Sequence, residues 1–297
     1  MANVAVLTEQ RYLNPLDKNW YTDNILKEES LIISELRRLN ITCSRVAWDI
    51  DDDLSNFDFF IFRTTWNYFE KLDQFLLFLN KHKARGVTMI NSFEHILWNL
   101  DKKYLLELRS RGINIPKSQL VKKQANCNLL NIMIKNNWEN VVIKPCVSAA
   151  AWNTYRVALS QVNEFENLFK DLLGTHDMLV QDYQKNIESI GEISIVIIDG
   201  VYLHSVKKVA KPGDFRVQDD FGGTVHKYSP SKNEIDFALS VVGAIETLPI
   251  YARVDIILDN SMSLALSEVE LIEPELWFRE CPQSAIALAK AIKKRYF

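Results

Sequence analysis

The sequence has little cysteine, no long apolar stretch and no excess of positive charge. Its four cysteines lie far apart and form no C-x-x-C pair, which argues against a disulfide framework or a zinc site and favours a reducing cytoplasm. The longest apolar runs, 57–62 and 193–198, are each interrupted by one polar residue and have the length of a strand, so neither is long enough to span a membrane. Because the first residues carry no basic region followed by an apolar core, we expect no signal peptide.

The charge balance argues against a large interface with nucleic acid. Thirty-five basic and 38 acidic residues give a net charge of −3, without the concentrated basic face that binds phosphate backbones. A chain of 297 residues, 47% of them apolar and 25% charged, is typical of a soluble globular protein with one large domain or two to three small ones. We expect small-molecule partners, no nucleic acid and no membrane. Homo-oligomerisation stays open.

Glycine is also scarce, and its distribution is uneven. The chain has nine glycines, against roughly twenty at an average usage of about 7%. Glycine is hardest to replace where the backbone turns sharply or lies close to a ligand. The segment from 191 to 223 therefore draws attention, because it holds five of the nine: Gly191, Gly200, Gly213, Gly222 and Gly223.

Carboxylates cluster near the C-terminus, after an apolar segment Tyr251–Leu258 whose one acid is Asp255. Glu268 and Glu270 are two residues apart in an alternating stretch, so an extended strand places both on one face. Neighbouring carboxylates repel each other, and a hard cation such as Mg²⁺, which proteins hold with one or two carboxylates plus substrate phosphates, would neutralise them. The alternative interpretation is a solvent-facing edge strand with free acids.

The first third of the chain alternates strands and helices, which predicts a small parallel α/β domain over residues 1–95. One of its helices is expected to begin at Thr22 or Asp23, which are suitable capping residues. No G-x-G-x-x-G pattern follows the first strand, so an ordinary dinucleotide site is not expected.

The rest of the chain predicts two α+β blocks, 96–184 and 185–297. Apolar spacing over 96–112 predicts one helix closed by Gly112.

Lys144 ends an apolar strand and precedes a loop of small residues, 146–154. A lysine there suits phosphate oxygens, and small residues let backbone N–H groups approach an anion. Lys102, at the start of the preceding helix, is a second candidate cation. Considered alone, Lys144 could equally be a lysine that extends from a strand end into solvent and binds nothing.

Three further segments carry candidate binding groups. The strand end 181–183 can present backbone groups to an adenine edge, and Glu192 nearby can accept from ribose hydroxyls. The glycine-bearing loop 211–224 carries Arg216, which could stabilise charge on a transferred phosphoryl group. The alternative interpretation of the strand end and Glu192 is a surface hairpin, and that of the loop 211–224 is an exposed loop. Arg63 and Trp66 follow an apolar strand at its C-terminal end, where α/β sheets bind ligands.

Each signal is weak alone, but their order along the chain resembles that of the ATP-grasp superfamily of carboxylate ligases. The resemblance covers roughly residues 95–297, and the N-terminal block is similar to the domain that precedes the ATP-grasp fold. Within this superfamily, the sequence motifs most resemble those of the branch that contains the cycloserine-forming ligase and its glutathione-synthetase-like relatives. Three segments carry the branch resemblance: 62–68, 213–223 and 268–276. It implies a two-lobed fold with ATP between two α+β subdomains.

The resemblance also implies residue roles. Nucleotide contacts are expected from Lys102, Lys144, Ser148, Thr154, Gln181, Asp182, Tyr183, Glu192 and Lys208. Catalytic charge stabilisation is expected from Lys144, Lys208 and Arg216. Mg²⁺, with Mn²⁺ as an alternative, is expected on Asp255, Glu268 and Glu270. The carboxylate and amine substrates are expected at Arg63, Trp66, Arg216, Gly222, Gly223 and Glu273.

The implied reaction is ATP-dependent carboxylate–amine ligation through an acyl phosphate on a small amino-acid-like substrate, with ADP and phosphate released. Intramolecular ring closure and phosphotransfer are alternatives within enzymes. An alternative outside enzymes is a nucleotide-binding module with little turnover. It is considered because Ala149, Ala150 and Ala151 occupy a loop that is usually glycine-rich in the superfamily.

Overall fold

The computed structural model describes residues 2–17, 19–50, 53–211 and 222–297. Its strands form three sheets, and the chain has the predicted mixed architecture: a parallel sheet first, then antiparallel sheets flanked by helices. None of the described helices is both long and apolar enough to cross a membrane.

The N-terminal sheet is parallel, with strand order β2-β1-β3-β4 in the described residues. Its strands are β1 (Asn3–Thr8), β2 (Thr42–Ala47), β3 (Phe59–Thr64) and β4 (Thr88–Ile90). The helices of this block are α1 (Gln10–Leu13), α2 (Trp20–Arg38), α3 (Leu72–Ala84) and α4 (Phe93–Asn99). The predicted start of α2 is wrong by a few residues, because Asn19 is the N-cap. The Asn19 side chain accepts a hydrogen bond from the backbone N–H of Thr22, and the Thr22 side chain accepts one from the backbone N–H of Asn19.

The second sheet is antiparallel, with strand order β5-β8-β6-β7. Its strands are β5 (Ser118–Val121), β6 (Asn140–Pro145), β7 (Tyr155–Ala158) and β8 (Met178–Asp182). The helices beside it are α5 (Tyr104–Ser110), α6 (Leu129–Asn136) and α7 (Val162–Thr175), and α8 (Asn186–Ile190) leads into the third sheet. An apolar cluster around Phe169 and Met133 joins α6 and α7 to β6 and β8.

The third sheet is also antiparallel, with strand order β11-β10-β9-β12-β13 in the described residues. Its strands are β9 (Glu192–Ile198), β10 (Val201–Val209), β11 (Thr224–Tyr228), β12 (Tyr251–Leu258) and β13 (Leu264–Glu270). Two helices complete it, α9 (Lys232–Gly243) and α10 (Pro282–Tyr296). One apolar cluster contains residues of α2, α10 and β9, so the N-terminal block packs directly against the third sheet.

The single helix predicted over 96–112 is wrong. The chain forms α4 and α5 with a break at 100–103, which tertiary hydrogen bonds impose. The Asn99 amide donates to the Val269 carbonyl at 2.7 Å and accepts from the Leu271 N–H at 2.7 Å. The Lys102 N–H donates to the Cys146 carbonyl at 2.8 Å. Apolar spacing continues through the break, so local periodicity could not reveal it.

Candidate active site

A cleft of about 270 Å³ lies between the second and third sheets, and residues of the N-terminal block line one end of it. The predicted residues that line it are Trp66, Lys102, Lys144, Ser148, Thr154, Gln181, Asp182, Tyr183, Glu192, Lys208, Asp255, Glu268, Glu270 and Glu273. Arg63 lies in an adjoining pocket instead. Gly222 and Gly223 lie just before β11 and are not among the lining residues, while Arg216 falls outside the described residues.

The register of β12 and β13 brings the three predicted metal carboxylates together. Asp255 pairs with Glu268, and Arg253 pairs with Glu270. The Arg253 guanidinium lies between two of the acids: its Nη2 donates to Asp255 at 2.9 Å and also to Glu270. β13 is indeed an edge strand, but its acids are held in ion pairs rather than free.

Two lysines pair with carboxylates of the same cleft. Lys102 Nζ lies 2.6 Å from Glu268, and Lys208 Nζ lies 2.5 Å from Glu192 and 3.4 Å from Asp255. Glu192, the predicted ribose ligand, is therefore engaged by Lys208. The side chain of Lys144 has no ion pair or hydrogen bond within the described part of the chain, although it lines the same cleft.

Burial and charge set the protonation states of the carboxylates that were predicted to bind metal. Burial opposes ionisation of Asp255 and Glu268, but the charge of Arg253 on the first and of Lys102 on the second holds both pKa values low. Burial raises the pKa of Glu270 to about 7; Arg253 offsets part of this effect and Glu268 adds to it. Burial also lowers the pKa of Lys144, so an anion beside its ammonium group would be favourable.

The alanine loop takes an unusual backbone conformation. Ala150, Ala151 and Asn153 have φ of 48°, 54° and 49°, in the left-handed region that usually favours glycine. Trp152 fixes the loop tip, with its ring centroid 5.5 Å from that of Phe69 in the N-terminal block and 5.4 Å from that of His176. Contacts to other parts of the fold therefore support a loop shape that its own residues disfavour.

The predicted adenine end is tied to the β12–β13 turn. The Asn260 N–H donates to the Gln184 side-chain oxygen at 2.9 Å, and its amide donates to the Tyr183 carbonyl at 2.9 Å. Gln181 donates to Ser118 Oγ at 2.9 Å. Burial raises the pKa of Asp182. These contacts set the position of the segment 181–184 relative to the third sheet.

Three of the predicted substrate residues, Arg63, Trp66 and Glu273, lie together at the N-terminal end of the cleft. Trp66 Nε1 donates to the Glu273 carbonyl at 3.1 Å, and Arg63 Nη2 donates to the Pro274 carbonyl at 2.6 Å. Arg63 also pairs with Glu28 at 2.7 Å. Burial, with repulsion from Glu270, raises the pKa of Glu273 to about 8.

Sequence reasoning missed Arg253. The available signal was a basic residue two positions before Asp255 in an apolar segment, because a buried cation needs a carboxylate partner. It also missed Asn99, which lines the cleft.

The donor set is compatible with Mg²⁺ or Mn²⁺. Asp255, Glu268 and Glu270 offer hard carboxylate oxygens on facing strand positions. Within the residues that the structure describes, no group of three or more Asp, Glu, His or Cys side chains is arranged to hold a metal by itself. A nucleotide-borne ion needs only one or two protein carboxylates, because phosphate oxygens and water supply the rest.

Gly191 allows β9 and β10 to approach each other at this site. Its φ of 84° and ψ of −167° lie in a region open almost only to glycine. A Cβ atom there would lie 2.3 Å from the carbonyl oxygen of Lys208. We expect Gly191→Ala to displace Lys208 and Glu192 and to lower kcat/KM by about tenfold or more, as small misplacements of site residues do.

The matched control is Gly86→Ala, because Gly86 also has a positive φ, 81°, but has nothing within 4 Å of an added Cβ. It should cost about 1–2 kcal/mol of stability and leave steady-state kinetics unchanged. Equal kinetics for the two variants would show that the close approach at Gly191 does not position Lys208.

Comparison with known proteins assigns the family. The RimK-like ATP-grasp domain matches residues 101–279, and the N-terminal domain of D-cycloserine synthetase DcsG matches residues 4–91. The chain belongs to the RimK-like ATP-grasp family, and it is an ATP-dependent ligase of carboxylates and amines, of the ADP-forming kind.

Individual relatives agree with this assignment. The cycloserine biosynthesis protein DcsG of Streptomyces lavendulae is 24% identical over 286 residues, which cover 89% of this chain and 92% of the relative. The crystal structure of D-cycloserine synthetase DcsG superposes with a TM-score of 0.84 at 22% identity, over 99% of both chains. D-alanine–D-alanine ligase from Bacillus anthracis, complexed with ATP, gives 0.65 at 15% identity, over 99% of this chain and 95% of the ligase.

Proposed function

We propose that this ligase activates the carboxylate of a small amino-acid-like substrate as an acyl phosphate and then joins it to an amine. A carboxylate oxygen attacks the γ-phosphorus of ATP and ADP leaves. The amine then attacks the acyl carbon, loses a proton and displaces phosphate. The observation that carries the proposal is the convergence of four cations on one cleft: Lys102, Lys144, Lys208 and Arg253.

The roles of these residues follow from charge and position. Lys102 and Lys144 face the small-residue loop and are suited to nucleotide phosphates. Arg253 and Lys208 lie beside Asp255, where they can offset charge on the transferred phosphoryl group. Mg²⁺ on Asp255, Glu268 and Glu270 would neutralise phosphate charge. Positioning and electrostatics suffice, because no side chain needs to form a covalent bond.

Hydroxylamine tests this proposal, because it intercepts acyl phosphates as hydroxamates. Purified protein is incubated with ATP, Mg²⁺, hydroxylamine and single amino acids, and both ADP and hydroxamate are measured. We expect equal amounts of the two with at least one amino acid. ADP without hydroxamate would contradict the acyl phosphate, and ATP binding without any ADP would favour a non-catalytic module.

Product mass then separates ligation from ring closure. The name of one relative, D-cycloserine synthetase, indicates that a protein of this fold forms a cyclic product. A cyclised product weighs one water less than a single substrate, whereas a ligation product joins two substrates. We propose intermolecular ligation, and a product formed from one substrate would assign ring closure instead.

The raised pKa values at the metal end predict a pH-dependent effect of Mg²⁺ on stability. Burial raises the pKa of Glu270 to about 7 and that of Glu273 to about 8. Above pH 4.5 these two carboxyl groups therefore bind more protons in the folded protein than in the unfolded chain, and their contribution to stability without metal is lost as pH rises to about 8. Asp255 and Glu268 titrate below this window.

A cation that binds the deprotonated carboxylates should offset this loss. We expect Mg²⁺ to raise the melting temperature more at pH 8.5 than at pH 6, and Glu270→Gln to flatten the dependence. A Mg²⁺ effect that is the same at both pH values, or larger at pH 6, would place the ion elsewhere.

A further inference from the structure

The outer edge of β13 is covered by side chains rather than by another strand. β13 pairs with β12 on one side, and no strand among the described residues pairs with its other side. Val269 and Leu271, on either side of Glu270, are nevertheless fully buried. Because a buried backbone N–H or carbonyl without a partner is costly, the backbone groups of these two residues need partners from elsewhere in the fold.

The Asn99 side chain supplies the partners that lie closest to Glu270. Its amide nitrogen donates to the Val269 carbonyl at 2.7 Å, and its amide oxygen accepts from the Leu271 N–H at 2.7 Å. A residue of a parallel neighbouring strand makes the same pair of hydrogen bonds, to the carbonyl before and the N–H after the residue that it faces. Asn99 therefore takes the place of a further strand at Glu270.

Two other side chains complete this part of the edge. Asn91 Nδ2 donates to the Leu271 carbonyl at 2.9 Å and to the Tyr251 carbonyl of β12 at 2.8 Å. The Val269 N–H donates to the Tyr104 hydroxyl oxygen at 3.3 Å. The N–H and the carbonyl of both residues that flank Glu270 thus have side-chain partners.

The pairing between β12 and β13 is irregular beside these contacts. Asp255 pairs with Glu268, but the next residue, Ile256, pairs with Leu266. Ser267 is therefore left without a partner on β12. A bulge of this kind interrupts the ladder and bends the strand. Hydrogen bonds on the outer edge are then needed to fix the strand where its carboxylates face the cleft.

We propose that Asn99 positions Glu270 for metal binding by holding the backbone on both sides of it. This inference rests on the proposed function, in which Glu270 helps to hold Mg²⁺. Asn99 acts through the strand and needs no contact with the ion or the substrate. It ends α4, and the break that follows brings Lys102 Nζ to 2.6 Å from Glu268. One short segment therefore sets the position of both carboxylates of β13.

Asn99→Ala tests the proposal. Since Asn99 lines the cleft, water can enter the vacated space and pair with the freed backbone groups, so the variant should fold. We expect the Mg²⁺ concentration that gives half of the maximal rise in melting temperature at pH 8.5 to increase about tenfold or more, as for other groups that orient metal ligands. The rate of hydroxamate formation at limiting Mg²⁺ should fall by a similar factor. KM for ATP at saturating Mg²⁺ should change less.

A matched control and a milder variant accompany this experiment. Asn114 lies at the opposite end of the same edge, where its amide donates to the Leu264 carbonyl at 2.9 Å. Asn114→Ala should leave the Mg²⁺ dependence and the hydroxamate rate unchanged. Tyr104→Phe removes only the hydroxyl group that accepts from Val269, so it should shift the Mg²⁺ dependence in the same direction as Asn99→Ala but less. It provides the test if Asn99→Ala does not fold.

The outcomes separate this inference from the proposed function. A lower melting temperature with unchanged Mg²⁺ dependence and unchanged hydroxamate rates would mean that Asn99 only closes the sheet edge; the inference would fail and the ligase mechanism would stand. An equal shift in Asn114→Ala would also overturn it, because any contact along the edge would then suffice. Wild-type protein that forms neither ADP nor hydroxamate and shows no effect of Mg²⁺ would overturn both.

Discussion

Replacing Lys144 with methionine is expected to lower kcat/KM for ATP by about 100-fold or more without destabilising the protein. The ammonium group lines the cleft but has no ion pair or hydrogen bond within the described residues, and burial lowers its pKa. Removing it leaves no partner unsatisfied, and it eliminates a desolvated charge. Loss of one preorganised charge at a phosphoryl site typically costs 10²–10³ in rate.

Lys102→Met is the matched comparison. Lys102 lies in the same cleft but pairs with Glu268 at 2.6 Å and donates to the Ser148 carbonyl at 2.9 Å. Its removal leaves Glu268 without its nearest cation, so the melting temperature should fall together with activity. Calorimetric unfolding and ATP titrations of both variants check the contrast. A Lys144 variant with unchanged affinity for ATP would remove this residue from the nucleotide site.

Several strands were predictable because the chain carries their signal locally. The apolar segment Tyr251–Leu258 forms β12 with those same bounds, since it is buried almost throughout and carries β-branched residues. Alternation also predicted that Glu268 and Glu270 share one face of their strand, whereas the grouping of Asp255 with them was implied by the family resemblance. By contrast, β5 and β11 were not predicted, because both are edge strands with little apolar pattern.

What could not be predicted depends on contacts between distant segments. Arg253 reaches Glu270 only because β12 and β13 pair in one particular register, with an irregularity just after Asp255. Sequence spacing does not reveal that register. The break between α4 and α5 likewise comes from hydrogen bonds to β13 and to the segment after β6. The predicted role of Arg216 falls on a segment outside the described residues.

Replacing Arg253 with methionine should have the largest combined effect. Its guanidinium contacts Asp255 and Glu270 in a site where all three side chains are at least three-quarters buried. Without it the two carboxylates repel each other, and we expect a loss of about 3 kcal/mol in unfolding free energy at pH 8. Activity should fall by about 10³, as for arginines that stabilise a transferred phosphoryl group.

Mg²⁺ and a lysine variant separate the two effects of Arg253. If the carboxylates bind the ion, Mg²⁺ should restore most of the lost stability of Arg253→Met, because it neutralises the same charges. Arg253→Lys should retain stability without metal but recover little activity, because an ammonium group cannot contact Asp255 and Glu270 with the geometry of a planar guanidinium. Melting temperatures with and without Mg²⁺ measure the effect on stability, and hydroxamate rates measure the effect on activity. Near-normal rates in the lysine variant would mean that Arg253 serves charge balance alone, and phosphoryl stabilisation would then rest on Lys208 and Lys144.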